Sequence, residues 1–250
     1  MSRLFTGSPN WLWTTAAGPR LSVPFSVSCM FYADDADTIY YLFTYSNTAT
    51  ASSYGLRLIG NAAGDKVGFW GYNSIGDFKE AVTSTGFSAA TWHNAVGVVD
   101  SSRNTAVYID GGSKGTQIPP VVAPINMDVI SFGALAYAGQ PPQGYLQGKI
   151  AEGATWDVAL TDAEVAILGK GYSPLFVRPQ SIHSYWRMIG RVSPPQDIIG
   201  GWDLTVTGSV PADAHPKIIY PSYPQVGLHF TPASAASPYM TTSPGLWGPL

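Results

Sequence analysis

The sequence of 250 residues carries a net charge of −3, and only 12% of its residues are Asp, Glu, Lys or Arg, about half the usual share of ~25%. Because it contains no cluster of lysine or arginine, nucleic acid is not expected among its partners. The 27 glycines, 20 prolines and 13% aromatic residues are typical of short strands joined by tight turns, so we expect an all-β protein.

Residues 1–24 are predicted to form an extended lead-in, because Pro9, Pro19 and Pro24 lie among tryptophans and disfavour a helix. They contain neither the apolar core nor the small-residue cleavage site of a signal peptide. No apolar run in the sequence approaches the ~20 residues of a membrane helix, and a single cysteine excludes an internal disulfide framework. We therefore expect a protein that is made in a cytoplasm without export, with no membrane among its partners.

The first strand is predicted at residues 25–32, where apolar residues alternate with others. Phe25, Val27, Cys29 and Phe31 share one face of such a strand, so Cys29 is interpreted as a small core hydrophobe. A nucleophilic role for this thiol would need a basic group beside it.

The acidic run at residues 34–37 contains three carboxylates, Asp34, Asp35 and Asp37, and carboxylate oxygens can bind Ca²⁺. The spacing of an EF-hand is absent, and a solvated loop is the simpler interpretation. We expect no metal site and no cofactor.

The sequence after this run alternates between strand-forming segments and turn residues, which is typical of a β-sandwich. The strands are predicted at residues 39–45, 54–59, 67–72, 79–83 and 95–99.

One of these strands ends in a cluster of two aromatic residues and an amide, Trp70, Tyr72 and Asn73. Aromatic faces stack on the CH groups of sugars and amides hydrogen-bond sugar hydroxyls, so the cluster is a candidate carbohydrate-binding site. Gly68 and Gly71 would leave the rings accessible. The alternative is that these aromatic residues simply pack in a core.

Residues 91–112 are predicted to form a β-hairpin inside a larger sheet. Strand-forming runs at residues 95–99 and 105–109 flank a turn-forming run, and a second turn with two glycines follows. His93 is interpreted as a hydrogen-bonded structural residue, because no second His or Cys lies at metal-ligand spacing.

The same hairpin carries a resemblance to a known family. Trp92-His93, the apolar run, the polar turn and the VYIDG sequence of residues 107–111 resemble the central signature of laminin-G-like, or concanavalin-A-like, jelly-roll domains. Residues 148–168 are similar to the closing strand and short helix of that family. The resemblance implies an antiparallel jelly-roll β-sandwich over roughly residues 20–210, but it implies no particular activity, because the fold hosts lectins, hydrolases and structural modules.

A further strand is predicted at residues 146–156. Its even positions are predicted to face the core: Leu146, Ile150, Ala154 and Trp156. This phase also places Glu152 inward unless a bulge shifts it, and an inward acid can be catalytic. Retaining glucanases of the resembled fold carry paired acids in an E-x-D-x-x-E strand, which is absent here, and a two-acid mechanism needs a second carboxylate. We interpret Glu152 as a hydrogen-bonded structural residue and expect no enzyme and no catalytic residue.

Thr161 and Glu164 have the spacing of a capping box, which predicts a short helix at residues 162–169 that ends at a glycine. The last strands are expected near residues 185–188 and 200–208. The jelly-roll domain is therefore predicted to span residues 25–210.

Residues 211–250 are predicted to form an extended, proline-rich arm, and residues 218–250 contain no Asp, Glu, Lys or Arg. Disordered tails are typically charged and poor in aromatic residues, so we expect this arm to contact a neighbouring subunit. An arm folded back on its own sandwich is the alternative. The predicted subunit contacts are Tyr220, Tyr223, Leu228, Phe230, Tyr239, Leu246 and Trp247.

Three functions follow from these patterns. The helix and the strands after it resemble jelly-roll modules of tailed-bacteriophage structural proteins, which favours a non-enzymatic virion protein that decorates the capsid or belongs to a tail or fibre. Its partners would be further copies of the chain and other virion proteins. The alternative is a carbohydrate-binding receptor protein of such a particle, with a host-surface glycan as its partner. A free glycan-active enzyme or lectin is disfavoured by the missing acid pair and signal peptide.

Overall fold

The computed structural model describes residues 2–14, 21–47, 49–60, 64–118, 127–136, 141–189 and 192–222. Two antiparallel sheets face each other across a hydrophobic core, so the predicted all-β sandwich is confirmed. The first sheet contains β1 (Ser2–Thr6), β3 (Phe25–Ala33), β8 (Trp92–Val99), β9 (Thr105–Ile109), β10 (Gly112–Gln117), β12 (Gln147–Trp156), β13 (Ile182–Trp186) and β15 (Ala212–Asp213). The second sheet contains β2 (Trp11–Trp13), β4 (Ile39–Ser46), β5 (Ser53–Ile59), β6 (Lys66–Tyr72), β7 (Phe78–Val82), β11 (Val129–Phe132) and β14 (Thr205–Thr207).

The strand order of the first sheet is β10-β9-β8-β3-β12-β1-β15, and β13 also pairs with β12. The strand order of the second sheet is β14-β2-β11-β4-β5-β6-β7. The helical elements of the described residues are α1 (Asp162–Gly169) and two short 3-10 helices, Pro174–Phe176 and Pro179–Ser181. Within the described ranges, no helix has the length and apolar character needed to cross a membrane.

Alternation along β3 supplies one side of the core, as the sequence predicts. Phe25, Val27, Cys29 and Phe31 are fully buried between the sheets and pack with residues of the second sheet such as Leu56. Burial raises the pKa of the Cys29 thiol to about 12, so the thiol stays protonated and acts as a small apolar group.

A β-bulge in β12 reverses which face of the sheet the side chains after it point to. The pairing with β3 shifts register between Ala151 and Ala154, and Glu152 has a positive φ of 54°. Ile150 therefore lies in the core between the sheets, whereas Ala154 and Trp156 lie in a second cluster with buried residues of α1. The four even positions predicted to be buried are buried, but the extra residue reverses the alternation and divides them between two clusters.

The local structures that the sequence signals most strongly are confirmed. β8 and β9 form the predicted hairpin, and a tight turn with positive φ at Asp110 and Gly111 leads into β10. In the capping box, the Thr161 hydroxyl accepts from the backbone nitrogen of Glu164, whose carboxylate accepts from the backbone nitrogen of Thr161. Gly171, with a φ of 79°, follows the end of α1.

The amino-terminal segment differs from the extended lead-in predicted for residues 1–24. Residues 2–6 form β1 between β12 and β15, and residues 11–13 form β2 between β11 and β14. Pro9 lies between these two strands, so it removes no hydrogen bond from either sheet. Both strands are part of the sandwich.

The carboxyl-terminal segment packs on the sandwich beyond the predicted boundary at residue 210. β15 pairs with β1, and the backbone of Ile219 bonds to Gly171 and Ser173 at 2.9 and 2.8 Å. The Tyr220 hydroxyl donates to Glu152 of its own chain, although the sequence suggested a subunit contact there. Up to Ser222, therefore, the predicted arm folds back on its own domain. The other predicted arm contacts lie outside the described residues: Tyr223, Leu228, Phe230, Tyr239, Leu246 and Trp247.

Candidate functional site

A groove lies on the outer face of the second sheet, away from the hydrophobic core. Alternate residues of β5 and β6 take opposite faces, so Leu56 and Phe69 enter the core while Arg57 and Trp70 face outward. The groove has a volume of about 230 Å³. We call it the aromatic groove, and it is lined by Tyr41, Ala51, Ser53, Arg57, Trp70, Tyr72, Phe78 and Leu135.

Two glycines let large side chains lie close to this face of the sheet. The Trp70 indole lies over Gly55 of the neighbouring strand, where an added Cβ would be 2.8 Å from ring carbon Cζ2. Glu80 lies over Gly68 in the same way, since an added Cβ there would be 2.1 Å from its Oε1. Gly71, which was expected from the sequence to leave the rings accessible, is in phase with the core-facing residues of β6 and so lies on the other face of the sheet.

The aromatic rings of the groove are packed against one another. Trp70 is only 4% exposed, because Phe78 stacks on it with 6.1 Å between ring centroids and Tyr41 meets its edge at 6.2 Å. The indole nitrogen of Trp70 is buried without a hydrogen-bond partner among the described residues. Phe78 is 45% exposed, so its ring offers an apolar surface that a ligand can reach. The CH face of a sugar can stack on such a ring.

An ion pair joins β5 to β7 at the groove. Arg57 donates from Nε to Oε1 of Glu80 at 2.7 Å and from Nη2 to Oε2 at 2.6 Å. The guanidinium carbon of Arg57 lies 5.5 Å from the centre of the Phe78 ring. Burial lowers the pKa of Arg57, but the hydrogen bonds and charge of Glu80 outweigh burial and raise the pKa overall. The charged pair is therefore already formed beside the exposed ring.

The predicted carbohydrate cluster is divided between the groove and a turn. Trp70 and Tyr72 line the groove. Asn73 instead stabilises the turn after β6, where its Oδ1 accepts from the backbone nitrogens of Ile75 and Asp77. Sugar binding by this region stays a prediction. Asn73 stabilises the turn beside the groove and does not line the groove itself.

The residues that complete the site were missed in the sequence: Tyr41, Arg57, Phe78 and Glu80. They lie on β4, β5 and β7 and come together only through the register of strands β4 to β7, in which Tyr41 pairs with Arg57 and Trp70 pairs with Glu80. A weak signal exists, because Arg57 is the only charged residue of β5. A charge within such a strand indicates an outward-facing side chain with a partner on a neighbouring strand.

Glu152 has the hydrogen-bonded surroundings that the sequence interpretation assigned to it. Its carboxylate is 2% exposed and accepts from the hydroxyls of Tyr185 and Tyr220, the latter at 2.7 Å. Nε2 of His215 lies 3.1 Å from Oε1 of Glu152. Burial and the charge of Glu152 raise the pKa of Tyr220 to about 12. The carboxylate is thus covered by its own chain, and none of these partners is a second acid.

The acidic run after β3 is a hydrogen-bonded turn. Asp35 accepts from the hydroxyl of Tyr40 at 2.7 Å and from the backbone nitrogen of Asp37 at 3.2 Å. In the part of the chain that the structure describes, no three His, Cys, Asp or Glu side chains are grouped as a metal site.

His93 lies on β8 and is held by residues just before and just after the hairpin. Its Nδ1 lies 2.7 Å from Oδ2 of Asp110, and its Nε2 lies 3.1 Å from the carbonyl oxygen of Ser88. Burial lowers the pKa of His93, but the hydrogen bond and charge of Asp110 outweigh burial and raise it overall. These contacts agree with the structural role predicted for this residue.

Comparison with known proteins agrees with the fold. The family model described as the concanavalin A-like lectin/glucanases superfamily matches residues 10–166, which is more than half of the chain. No curated protein matches the chain. Among solved structures, a proposed carbohydrate-binding protein from Bacteroides ovatus is similar, with a TM-score of 0.58 and 16% identity. That match covers 86% of this chain and 61% of the Bacteroides protein, so this chain spans less than two thirds of it.

Two further structures show the same architecture. A heptameric SAP-like pentraxin from Limulus polyphemus has a TM-score of 0.52 and 15% identity, over 67% of this chain and 81% of the pentraxin. The CBM40 of an IT-sialidase from Ruminococcus gnavus, bound to α2,3-sialyllactose, has a TM-score of 0.50 and 11% identity, over 68% and 98% of the two chains. Identities this low show a shared fold alone. The match of the family model, together with the two-sheet sandwich, shows that the chain belongs to the concanavalin A-like lectin/glucanases superfamily.

Proposed function

We propose that this protein is a non-catalytic carbohydrate-binding protein that holds a glycan in the aromatic groove. The observation that carries the proposal is the exposed Phe78 ring beside the Arg57–Glu80 pair, which offers a stacking surface and hydrogen-bonding groups at one place. The fold is shared with proteins that are described as carbohydrate-binding or were solved with a bound sugar.

Binding without hydrolysis is supported by the position of the acids. Hydrolysis of a glycosidic bond by the usual route needs two carboxyl groups beside that bond. The described residues that line the groove include no carboxylate, and Glu80 next to it is held by two hydrogen bonds from Arg57. Glu152 is covered by Tyr185 and Tyr220.

The test is a glycan-array screen of the protein, followed by titration of the best ligand with two matched variants. Phe78→Ala removes the exposed ring of the groove, which is 45% exposed, and should weaken binding by about tenfold or more, as loss of a central aromatic contact does. Phe176→Ala removes a ring of similar exposure, 43%, that packs on Tyr172 outside the groove, and should leave affinity unchanged. A folded protein that binds no glycan, or equal affinity in both variants, would refute the proposal.

As a second candidate, we propose a structural role in a bacteriophage particle, as capsid decoration or as a tail or fibre component. Its support is the sequence of residues 218–250, which is rich in apolar and aromatic side chains and contains no charged residue. A segment of this composition is stabilised by contact with another chain more than by exposure to water. Glycan binding by the same particle protein would make it a receptor-recognition component.

Light scattering on the full chain and on a chain that ends at Ser222 tests this second candidate. We expect a defined oligomer from the full chain and a folded monomer from the shortened one. A full chain that remains monomeric at high concentration would contradict assembly through these residues.

A further inference from the structure

We propose that the aromatic groove selects uncharged sugars over acidic ones, because Glu80 already occupies the arginine that a sugar carboxylate would bind. This inference rests on the glycan-binding function proposed above. It concerns the class of sugar that the groove accepts, which depends on the charges of the groove and the geometry of one ion pair.

The charges at the groove cancel locally. Arg57 is the only charged residue among the described lining residues, and its Nε and Nη2 both donate to Glu80. The two side chains are 18% and 12% exposed, so solvent ions screen the pair weakly. Lys79 of β7 and Asp77, just before that strand, also form a pair, at 3.3 Å.

A carboxylate on the sugar would be a second anion at the same guanidinium group. Arginine binds carboxylates best through two parallel hydrogen bonds, and Glu80 already makes such bonds with Nε and Nη2 of Arg57. A second carboxylate would place two negative charges beside one positive charge in a partly buried site. The repulsion and the loss of hydration both oppose binding.

Sugar hydroxyls meet the same pair without this repulsion. Each oxygen of the Glu80 carboxylate can accept more than the one hydrogen bond that Arg57 supplies, so it can accept from a hydroxyl. Arg57 carries five N–H donors, of which Glu80 takes two, so it can also donate to a hydroxyl. Two neighbouring hydroxyls of a neutral sugar therefore fit the two halves of the pair, while its CH face can stack on Phe78.

The experiment uses glycans that differ only in charge. The protein is titrated calorimetrically with neutral oligosaccharides and with the same oligosaccharides in which the terminal sugar is oxidised to a uronic acid. We expect the neutral member of each pair to bind at least about tenfold more tightly. In Glu80→Gln, which keeps the size of the side chain but releases the charge of Arg57, we expect affinity for the acidic member to rise about tenfold.

Asp77→Asn is the matched control, because it removes one negative charge near the groove and leaves the Arg57–Glu80 pair intact. It should not raise affinity for acidic glycans. Equal binding of neutral and acidic glycans by the natural protein would overturn the selectivity while leaving glycan binding in place. A selective protein whose Glu80→Gln variant folds but gains nothing would overturn the role of the pair. Failure to bind either class in all variants would instead refute the glycan-binding function itself.

Discussion

Tyr220 ties the carboxyl-terminal segment to the buried carboxylate of Glu152, and its hydroxyl provides a direct test of that contact. Tyr220→Phe removes a 2.7 Å hydrogen bond to a carboxylate that is 2% exposed. The ring remains and keeps its contact with Arg187, whose guanidinium carbon lies 4.3 Å from the ring centroid. A hydrogen bond to a charged group contributes about 1.5–3 kcal/mol, so we expect the free energy of unfolding to fall by that amount.

Urea unfolding followed by tryptophan fluorescence measures this change. Tyr172→Phe is the control, because the Tyr172 hydroxyl makes no hydrogen bond with the described residues, and its effect should stay within about 0.5 kcal/mol. The slope of the unfolding curve should be equal in all three proteins, since the surface exposed on unfolding is unchanged.

A shortened chain extends the test. Ending the chain at Asp213 removes Tyr220, His215 and the backbone bonds of Ile219, so it should destabilise the domain more than Tyr220→Phe does. Ending it at Ser222 keeps all of these contacts, so this chain should be as stable as the full chain at concentrations where both are monomeric. If the chain that ends at Asp213 unfolds at the same urea concentration as the full chain, the segment does not stabilise the sandwich, and the argument from the buried carboxylate fails.

Three further predictions concern the rest of the sandwich. Because the pKa of His93 is raised in the folded state, its pair with Asp110 stabilises the fold below the unfolded pKa of about 6.5 and loses this effect as pH rises through the folded pKa. Urea unfolding between pH 5.5 and 8.5 should show stability falling as the pH rises above about 6.5 in the natural protein and not in His93→Gln. Gly97→Ala places a Cβ 2.5 Å from the Phe69 ring in the core and should lower the free energy of unfolding by about 1–3 kcal/mol. Gly112→Ala, with nothing within 4 Å of its Cβ, should leave the free energy of unfolding nearly unchanged. Thermal unfolding of both variants measures the difference. A chelator should not change the melting temperature, since a drop of several degrees would indicate a bound cation in the acidic run.

Much of the fold could be predicted because its signals are local. Alternation in residues 25–32, turn residues around 100–104 and the capping box at Thr161 each depend on neighbours within a few positions, and each prediction agrees with the structure. β1 and β2 were missed because both are short, and their strand character comes from pairing with β12 and β11, far along the chain. The residues of β1 and β2 alone do not indicate which distant strands they pair with.

The bulge at Glu152 shows a second limit. The sequence of β12 alternates in a way that predicts one buried face, and only the register against β3 reveals the extra residue that turns Ala154 away from the core. The aromatic groove shows the same limit at the level of function. Trp70 and Tyr72 can be identified as site candidates from the sequence. Arg57 and Glu80 cannot, because their ion pair reaches across β6 and depends on the register of β5, β6 and β7.

The position of β1 has a consequence for synthesis of the protein. Arg3 pairs with Ile150 on one side and Ala212 on the other, so both neighbours of this strand leave the ribosome long after it does. At about 5–20 residues per second, the first of them follows roughly 7–30 s later. The β8–β9 hairpin, by contrast, can pair as soon as it emerges. A nascent chain therefore exposes both edges of β1 to other proteins until β12 and then β15 have been synthesised.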